Sequence, residues 1–383
     1  MRSGRARRLA GGLVALVLGG ALAGCGGDGY SPAGDWQPLP DGPPPQVAPP
    51  SQSQDALPPP SADPTDPGTD GEDPNVLASG LNVPTGLVLL PDGTGLVGER
   101  ETGRLLKVFP DRSPAQELMV VPGVDTAGDG GLYGLALSPT FAEDGLVYAY
   151  LSTATDNRVV RFPIGGKPNA VLTGIPRGDT HNGGALLFAA DGSLFVGTGD
   201  AGNPVLAADP TSLAGKVLHI DSFGHPVGNG PVFARGFTDV TALCSGAAPG
   251  GTGLFATDDR IGAPDQLTPV TEGAPSPSPT QAVDDVVGGL AGCGFSGSTA
   301  YLGALEGRRI YAVTLDGTGK PTGDPEDFLA DSYGRLRTVV VEPSTGALWI
   351  TTSNRDGLGA PGPDDDKVLR VLPPGASEQN SPL

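Results

Sequence analysis

Charge and aromatic rings are scarce in this chain: of 383 residues only 17% are charged and 5% aromatic. Basic residues are the scarcer charge, with 23 Lys and Arg against 43 Asp and Glu and a formal net charge of −20. That balance argues against a nucleic-acid partner, because phosphate binding needs a basic face. The uncharged apolar run Leu9–Ala23 is too short to cross a bilayer comfortably. Glycine and proline are abundant instead, 62 and 41 residues. A helical bundle is excluded at this load, since each interior Gly costs roughly 1 kcal/mol and each Pro about 3. Many short strands joined by tight turns tolerate it. Aliphatic residues keep the hydrophobic share at 38%, and the length leaves room for one large β domain with additions.

The additions come first. Arg2, Arg5, Arg7 and Arg8 precede the apolar run, the pattern of a secretory signal over residues 1–24. The run ends in Leu22-Ala23-Gly24-Cys25, which resembles the bacterial lipobox, whose cysteine is acylated and becomes the mature N-terminus. An ordinary signal with an incidental cysteine is the alternative. Acyl chains on Cys25 would hold the exported protein at the outer face of the cell membrane. Residues 25–75 form a linker: from Asp28 to Asn75 there are 14 Pro, nine acidic residues and no Lys or Arg. Such a segment cannot bury enough apolar surface to offset its chain entropy and is expected to be a disordered spacer. Without leader and linker the chain keeps 34 acidic and 19 basic residues. A short disordered tail is expected over residues 374–383.

Residues 76–373 repeat a theme: a glycine and aliphatic strand, a Pro/Asp/Gly turn, an alternating strand, and a basic residue. The first block reads Thr85–Leu90, Pro91–Gly93, Leu96–Arg100 and Arg104–Val108; the third reads Ala185–Phe188, Asp191–Gly192, Leu194–Gly197 and Lys216–Ile220. Weaker copies begin near Val240, Cys293 and Arg337. Six copies at a period near 50 predict an all-β, six-bladed β-propeller, with Val76–Leu81 completing the last blade. A β-sandwich does not explain so long a repeat. Cys244 and Cys293 lie one blade period apart. Export to an oxidising compartment suggests a disulfide between blades four and five, with two buried thiols as the alternative.

In a propeller the strand ends and loops of one face form the functional mouth. His181 and Asp200 are equidistant from the turn at Ala190–Asp191, so they should face each other there. A carboxylate beside an imidazole fixes its tautomer and raises its basicity, which suits a general base. By the same count the turn at Pro343–Gly346 should pair Arg337 with Thr352, and Asp129 precedes an inner strand on the same face. Arg335 and Arg337, at i and i+2, share a strand face. His219 and His225 read as structural. The run Asp364–Asp366 reads as a solvated loop, calcium being the lesser option.

The segments His181–Gly184, Gly197–Pro204 and Asp209–Leu218, with Gly130–Pro139 and Gly334–Arg337, resemble the glucose/sorbosone dehydrogenase family. Its members are six-bladed aldose dehydrogenases that use pyrroloquinoline quinone (PQQ). The lipobox, linker and second block look closest to a branch of LppZ-type actinobacterial lipoproteins. The resemblance implies sugar oxidation in which a histidine takes a hydroxyl proton as hydride passes to the quinone. By position it makes His181 that base, Asp200 its partner and Asp129 a sugar contact. It sets Arg335, Arg337 and Thr351 or Thr352 against the cofactor. Where the family carries an Arg and an Asn on the quinone, this chain has Thr238 and Asp239, and a basic position in block five is Glu306. The family's calcium loop is replaced by Asp258-Asp259-Arg260-Ile261, which makes Asp258 and Asp259 the candidate calcium ligands.

Two functions follow. One is a membrane-tethered, PQQ-dependent sugar dehydrogenase. The other is a propeller without the cofactor, serving as a cell-envelope module that binds a glycan or protein. A monomer is expected in either case.

Overall fold

The computed structural model describes residues 73–246 and 253–374. The leader, Cys25, the linker as far as Glu72 and the tail from 375 lie outside them. The strands are β1 (Val76–Ala78), β2 (Pro84–Leu89), β3 (Gly95–Glu99), β4 (Arg104–Val108), β5 (Gln116–Val120), β6 (Leu132–Leu137), β7 (Leu146–Ser152) and β8 (Asn157–Pro163). Next come β9 (Asn169–Ile175), β10 (Gly183–Phe188), β11 (Leu194–Thr198), β12 (Lys216–Ile220), β13 (Val232–Arg235), β14 (Val240–Ser245), β15 (Leu254–Asp258) and β16 (Asp265–Pro269). The last are β17 (Gln281–Val283), β18 (Leu290–Ser296), β19 (Thr299–Ala304), β20 (Arg309–Thr314), β21 (Glu326–Phe328), β22 (Leu336–Val341), β23 (Leu348–Thr352) and β24 (Val368–Val371). They form six antiparallel four-stranded sheets. Five are consecutive meanders; the sixth is β22–β24 closed by β1 from the other end of the domain. This is the expected six-bladed propeller, with the expected closing strand.

The turns show why these residues fold this way. In blades one and three an Asp-Gly pair joins the two innermost strands. Asp92 accepts the Thr94 N–H at 3.0 Å, and Asp191 accepts that of Ser193 at 2.9 Å. The intervening Gly93 and Gly192 take φ of 81° and 85°, a region that costs a glycine little. Blade two spends a short helix, α1 (Phe141–Asp144), on the same connection.

Each blade's second strand is buried along most of its length, and six apolar clusters form, one at each junction between neighbouring blades. The Gly-rich inner strands permit this close approach: a Cβ on Gly134 would collide with the Gly184 carbonyl oxygen of the next blade. Threonine hydroxyls stitch inner strands together, Thr85 to Leu132 O, Thr241 to Leu290 O and Thr338 to Thr85 O, at 2.5–2.6 Å. Cys244 and Cys293 form a disulfide between β14 and β18, so blades four and five are covalently joined.

Three expectations need correction. Asp73 and Asn75, expected in the linker, are held by the folded part: the Tyr333 hydroxyl donates to Asp73 at 2.7 Å and its oxygen accepts from the Asn75 amide at 3.0 Å. Asp364–Asp366 is a solvated loop only at Asp364: Asp365 and Asp366 are buried, and Asp366 accepts the N–H groups of Val83, Asn354 and Arg355. Finally, Thr352 pairs with Leu336 rather than Arg337, because the β22–β23 register shifts between Leu336 and Val339.

Candidate functional site

A cavity of about 1030 Å³ runs down the axis between the six inner strands β2, β6, β10, β14, β18 and β22. Asp129, His181, Arg335 and Arg337 all line it. Asp200 stands behind His181. Thr351 and Thr352 do not reach the cavity. Both are fully buried on β23, where the Thr351 hydroxyl accepts the Thr338 N–H and that of Thr352 donates to Asp366. Second-strand side chains pack within and between blades, which removes these threonines from the mouth.

The turn ahead of α2 (Pro204–Ala208) and the β10–β11 pairing hold the dyad. His181 Nδ1 lies 2.8 Å from Asp200 Oδ1, which also accepts the Gly202 N–H at 2.8 Å. A carboxylate only accepts, so Nδ1 carries the proton and Nε2 offers its lone pair. That Nε2 is buried and has no protein partner. The bond to Asp200 raises the imidazole's pKa above 6.5, against the opposing pull of burial. His181 sits at a φ of 54°, sparsely populated for a side-chain-bearing residue. Its carbonyl accepts the Ala201 N–H at 3.0 Å and presses on Gly199, where a Cβ would collide with it. The backbone thus fixes the imidazole from both sides.

Two more buried polar atoms without protein partners lie on the same sector of the cavity: the Tyr133 hydroxyl and Arg100 Nε. Arg100 reaches Asp129 at 3.0 Å and Glu101 at 3.2 Å. Burial holds the Asp129 carboxyl above its usual range. An acceptor (His181 Nε2), donors (Tyr133 OH, Arg100 Nε) and a carboxylate (Asp129) therefore converge across blades one to three. Buried polar groups of this kind cost free energy until a ligand satisfies them.

Charge organises the other half of the mouth. Arg335 is bound by Glu306 at 3.0 Å and by Asp356 at 2.9 Å. Arg337 donates to Ser353 Oγ at 2.7 Å and lies 3.9 Å from Asp356. Asp239, half-buried, accepts the Gly183 N–H at 2.7 Å, and burial followed by the Asp129 charge pushes its pKa to about 7. Sequence reading took Asp239 and Glu306 only as departures from a pattern. Their place in the charge network depends on contacts across blades, 56 residues apart for Asp239 and Gly183 and 29 for Glu306 and Arg335.

Of the two residues expected to hold calcium, Asp258 has a structural use in this fold. Asp258 caps the N–H groups of Thr238 and Asp239, both at 2.8 Å, and burial lifts its pKa to about 6. Burial, and then the neighbouring Asp265 charge, raise Asp259 well above the ordinary carboxylate range. Among the described residues no group of three metal-ligating side chains comes together.

PQQ is a tricarboxylate, and the residues present do not fit it. Each of the three mouth guanidiniums already faces a carboxylate. Glu306 lines the same cavity, a carboxylate where the resemblance calls for a base. One like-charged pair at 4 Å costs about 4 kcal/mol at an effective dielectric near 20.

Comparison with known proteins agrees with the fold. A family profile described as Glucose / Sorbosone dehydrogenase matches residues 81–242. The PQQ-bound aldose sugar dehydrogenase of Streptomyces coelicolor is 34% identical, covers 78% of this chain and 96% of its own, and superposes with a TM-score of 0.72. A putative glucose dehydrogenase of Thermus thermophilus is 31% identical over 78% of this chain and 98% of its own, with a TM-score of 0.70. Quinoprotein glucose dehydrogenase B of Acinetobacter calcoaceticus is 30% identical over 155 residues, 35% of this chain. That match spans 32% of the Acinetobacter protein, so the chain aligns with about a third of that curated relative's length.

Proposed function

This chain belongs to the glucose/sorbosone dehydrogenase family, and from that premise we propose that it is a carbohydrate-binding propeller whose cofactor half has closed. It is a monomer, exported and held by an acylated Cys25 at the outer face of the bacterial cell membrane, with residues 25–72 as its spacer. The observation that carries this reading is the convergence of unpartnered His181 Nε2, Tyr133 OH and Arg100 Nε beside Asp129. A sugar's vicinal hydroxyls can donate to Nε2 and Asp129 while accepting from Arg100 and Tyr133. The neutralised guanidiniums of the opposite sector support binding without an anionic cofactor.

A second reading, oxidation of an aldose as in the relatives, is favoured by one observation. The His181–Asp200 dyad is built as a base, on a residue that lines the cavity. In that reading His181 accepts a hydroxyl proton and Asp200 stabilises the resulting imidazolium.

Calorimetric titration of neutral aldoses into cofactor-free protein tests the proposal. Saturable binding, weakened at least tenfold in His181→Ala and Asp129→Asn, is expected. No binding by any sugar until PQQ is added would overturn it in favour of oxidation.

A further inference from the structure

The cavity mouth is two-sided. Across from the polar sector, on the half that also holds the Arg335, Arg337, Glu306 and Asp356 charges, three aliphatic side chains line the same opening and are largely exposed: Ile261 at 72%, Val286 at 77% and Leu358 at 78%. They come from three separate loops, between β15 and β16, ahead of β18, and between β23 and β24. Scattered exposed aliphatics are ordinary on a protein surface. Three around one opening, opposite unpartnered polar atoms, form a single amphipathic site.

We propose that the mouth takes a neutral glycolipid, with the sugar head against His181, Asp129, Arg100 and Tyr133 and the hydrocarbon stem across Ile261, Val286 and Leu358. The inference rests on the reading of the polar sector as a sugar site and adds the class of molecule that carries the sugar. Three side chains offer a few hundred Å² of apolar surface. A stable protein partner needs about 800 Å² on each side, so the rim suits an alkyl chain better than a protein face. The charge of the mouth selects the head. Glu306, Asp356 and Asp129 already neutralise Arg335, Arg337 and Arg100, so none of the three guanidiniums is left free for a phosphate or sulfate head. The expected location at the outer face of the cell membrane brings such lipids within reach of the mouth.

The test uses the full chain carrying Cys25→Ser, so that no acyl group of its own competes. Methyl and octyl glycosides of glucose, galactose and mannose, with octyl phosphate as the anionic arm, are titrated below their micellar concentrations by calorimetry. The octyl glycoside of the preferred sugar should bind at least tenfold more tightly than its methyl counterpart, and octyl phosphate should not bind. Ile261→Ser with Leu358→Ser should cut that advantage below threefold, and Ile261→Val with Leu358→Met should preserve it. Equal binding of methyl and octyl glycosides would overturn the glycolipid inference and leave the sugar site standing. Binding of none of the glycosides would overturn both. Tight binding of octyl phosphate would overturn the choice of head.

Discussion

Replacing Asp200 by Asn removes the charge that sets His181 and leaves an oxygen for the Gly202 N–H, which now lies 2.8 Å from the carboxylate. A hydrogen bond to a charged group contributes about 1.5–3 kcal/mol and a neutral one about 1. The substitution should therefore weaken the hold on Nδ1–H by roughly 1–2 kcal/mol, and sugar affinity through Nε2 should fall by about five- to thirtyfold. The chain has only three histidines, so long-range ¹H–¹⁵N correlation can follow each imidazole separately. In the native protein His181 should show its neutral proton on Nδ1 and keep its charge to higher pH than His219, whose imidazole burial pulls below 6.5. In Asp200→Asn its titration should move down. The folded-state pKa of His181 lies above 6.5, so its stabilising contribution is fully present below pH 6.5. That contribution fades as pH rises through the folded value. The variant should accordingly lose most stability in mild acid and least above neutrality. A native His181 with its proton on Nε2, or a titration unmoved by the substitution, would refute the reasoning.

Other outcomes follow from single contacts. The Lys216 ammonium is fully buried, donates to the carbonyls of Leu206, Ala207 and Ala214 at 2.6–2.8 Å, and is depressed from 10.5 to about 8 by burial. The unfolded chain holds that proton more tightly, so stability relative to Lys216→Met should rise by up to about 3 kcal/mol as pH climbs from the folded value towards the unfolded one. A flat difference in urea midpoints would contradict this. Gly199→Ala should cost about 2 kcal/mol or more and abolish sugar binding, because the new Cβ would collide with His181 O. Gly317→Ala, which meets nothing within 4 Å, should melt like the native chain. Removing the bridge in Cys244→Ala with Cys293→Ala should lower stability by about 3–4 kcal/mol on chain-entropy grounds for a 49-residue separation. An unchanged denaturation midpoint would argue that the bridge contributes nothing.

The fold was legible because its unit recurs. Each blade repeats one turn chemistry and one buried second strand, and counting residues from an Asp-Gly turn placed His181 opposite Asp200. The count failed in blade six because the bulge between Leu336 and Val339 adds a residue that hydropathy does not mark. Asp366 was misread for a related reason: its partner Val83, 283 residues away, is brought to it only by ring closure, and Asn354 only by the fold of the β23–β24 connection. Thr351 and Thr352 carry no sequence mark that separates a mouth-facing hydroxyl from one spent inside a blade. The charge closure of the cofactor half was half visible, in Glu306 standing for a base. Its other half, Asp356 against both arginines, needed the loop geometry.

The central claim is that the mouth keeps a sugar site and refuses an anionic quinone. Titration of PQQ into the native chain, with and without calcium, followed by calorimetry and absorbance, tests it most directly. No saturable binding up to high micromolar cofactor is the expected result. One-to-one binding at low micromolar PQQ, lost in Arg335→Ala, would contradict the account and restore the chain to the oxidising members of its family.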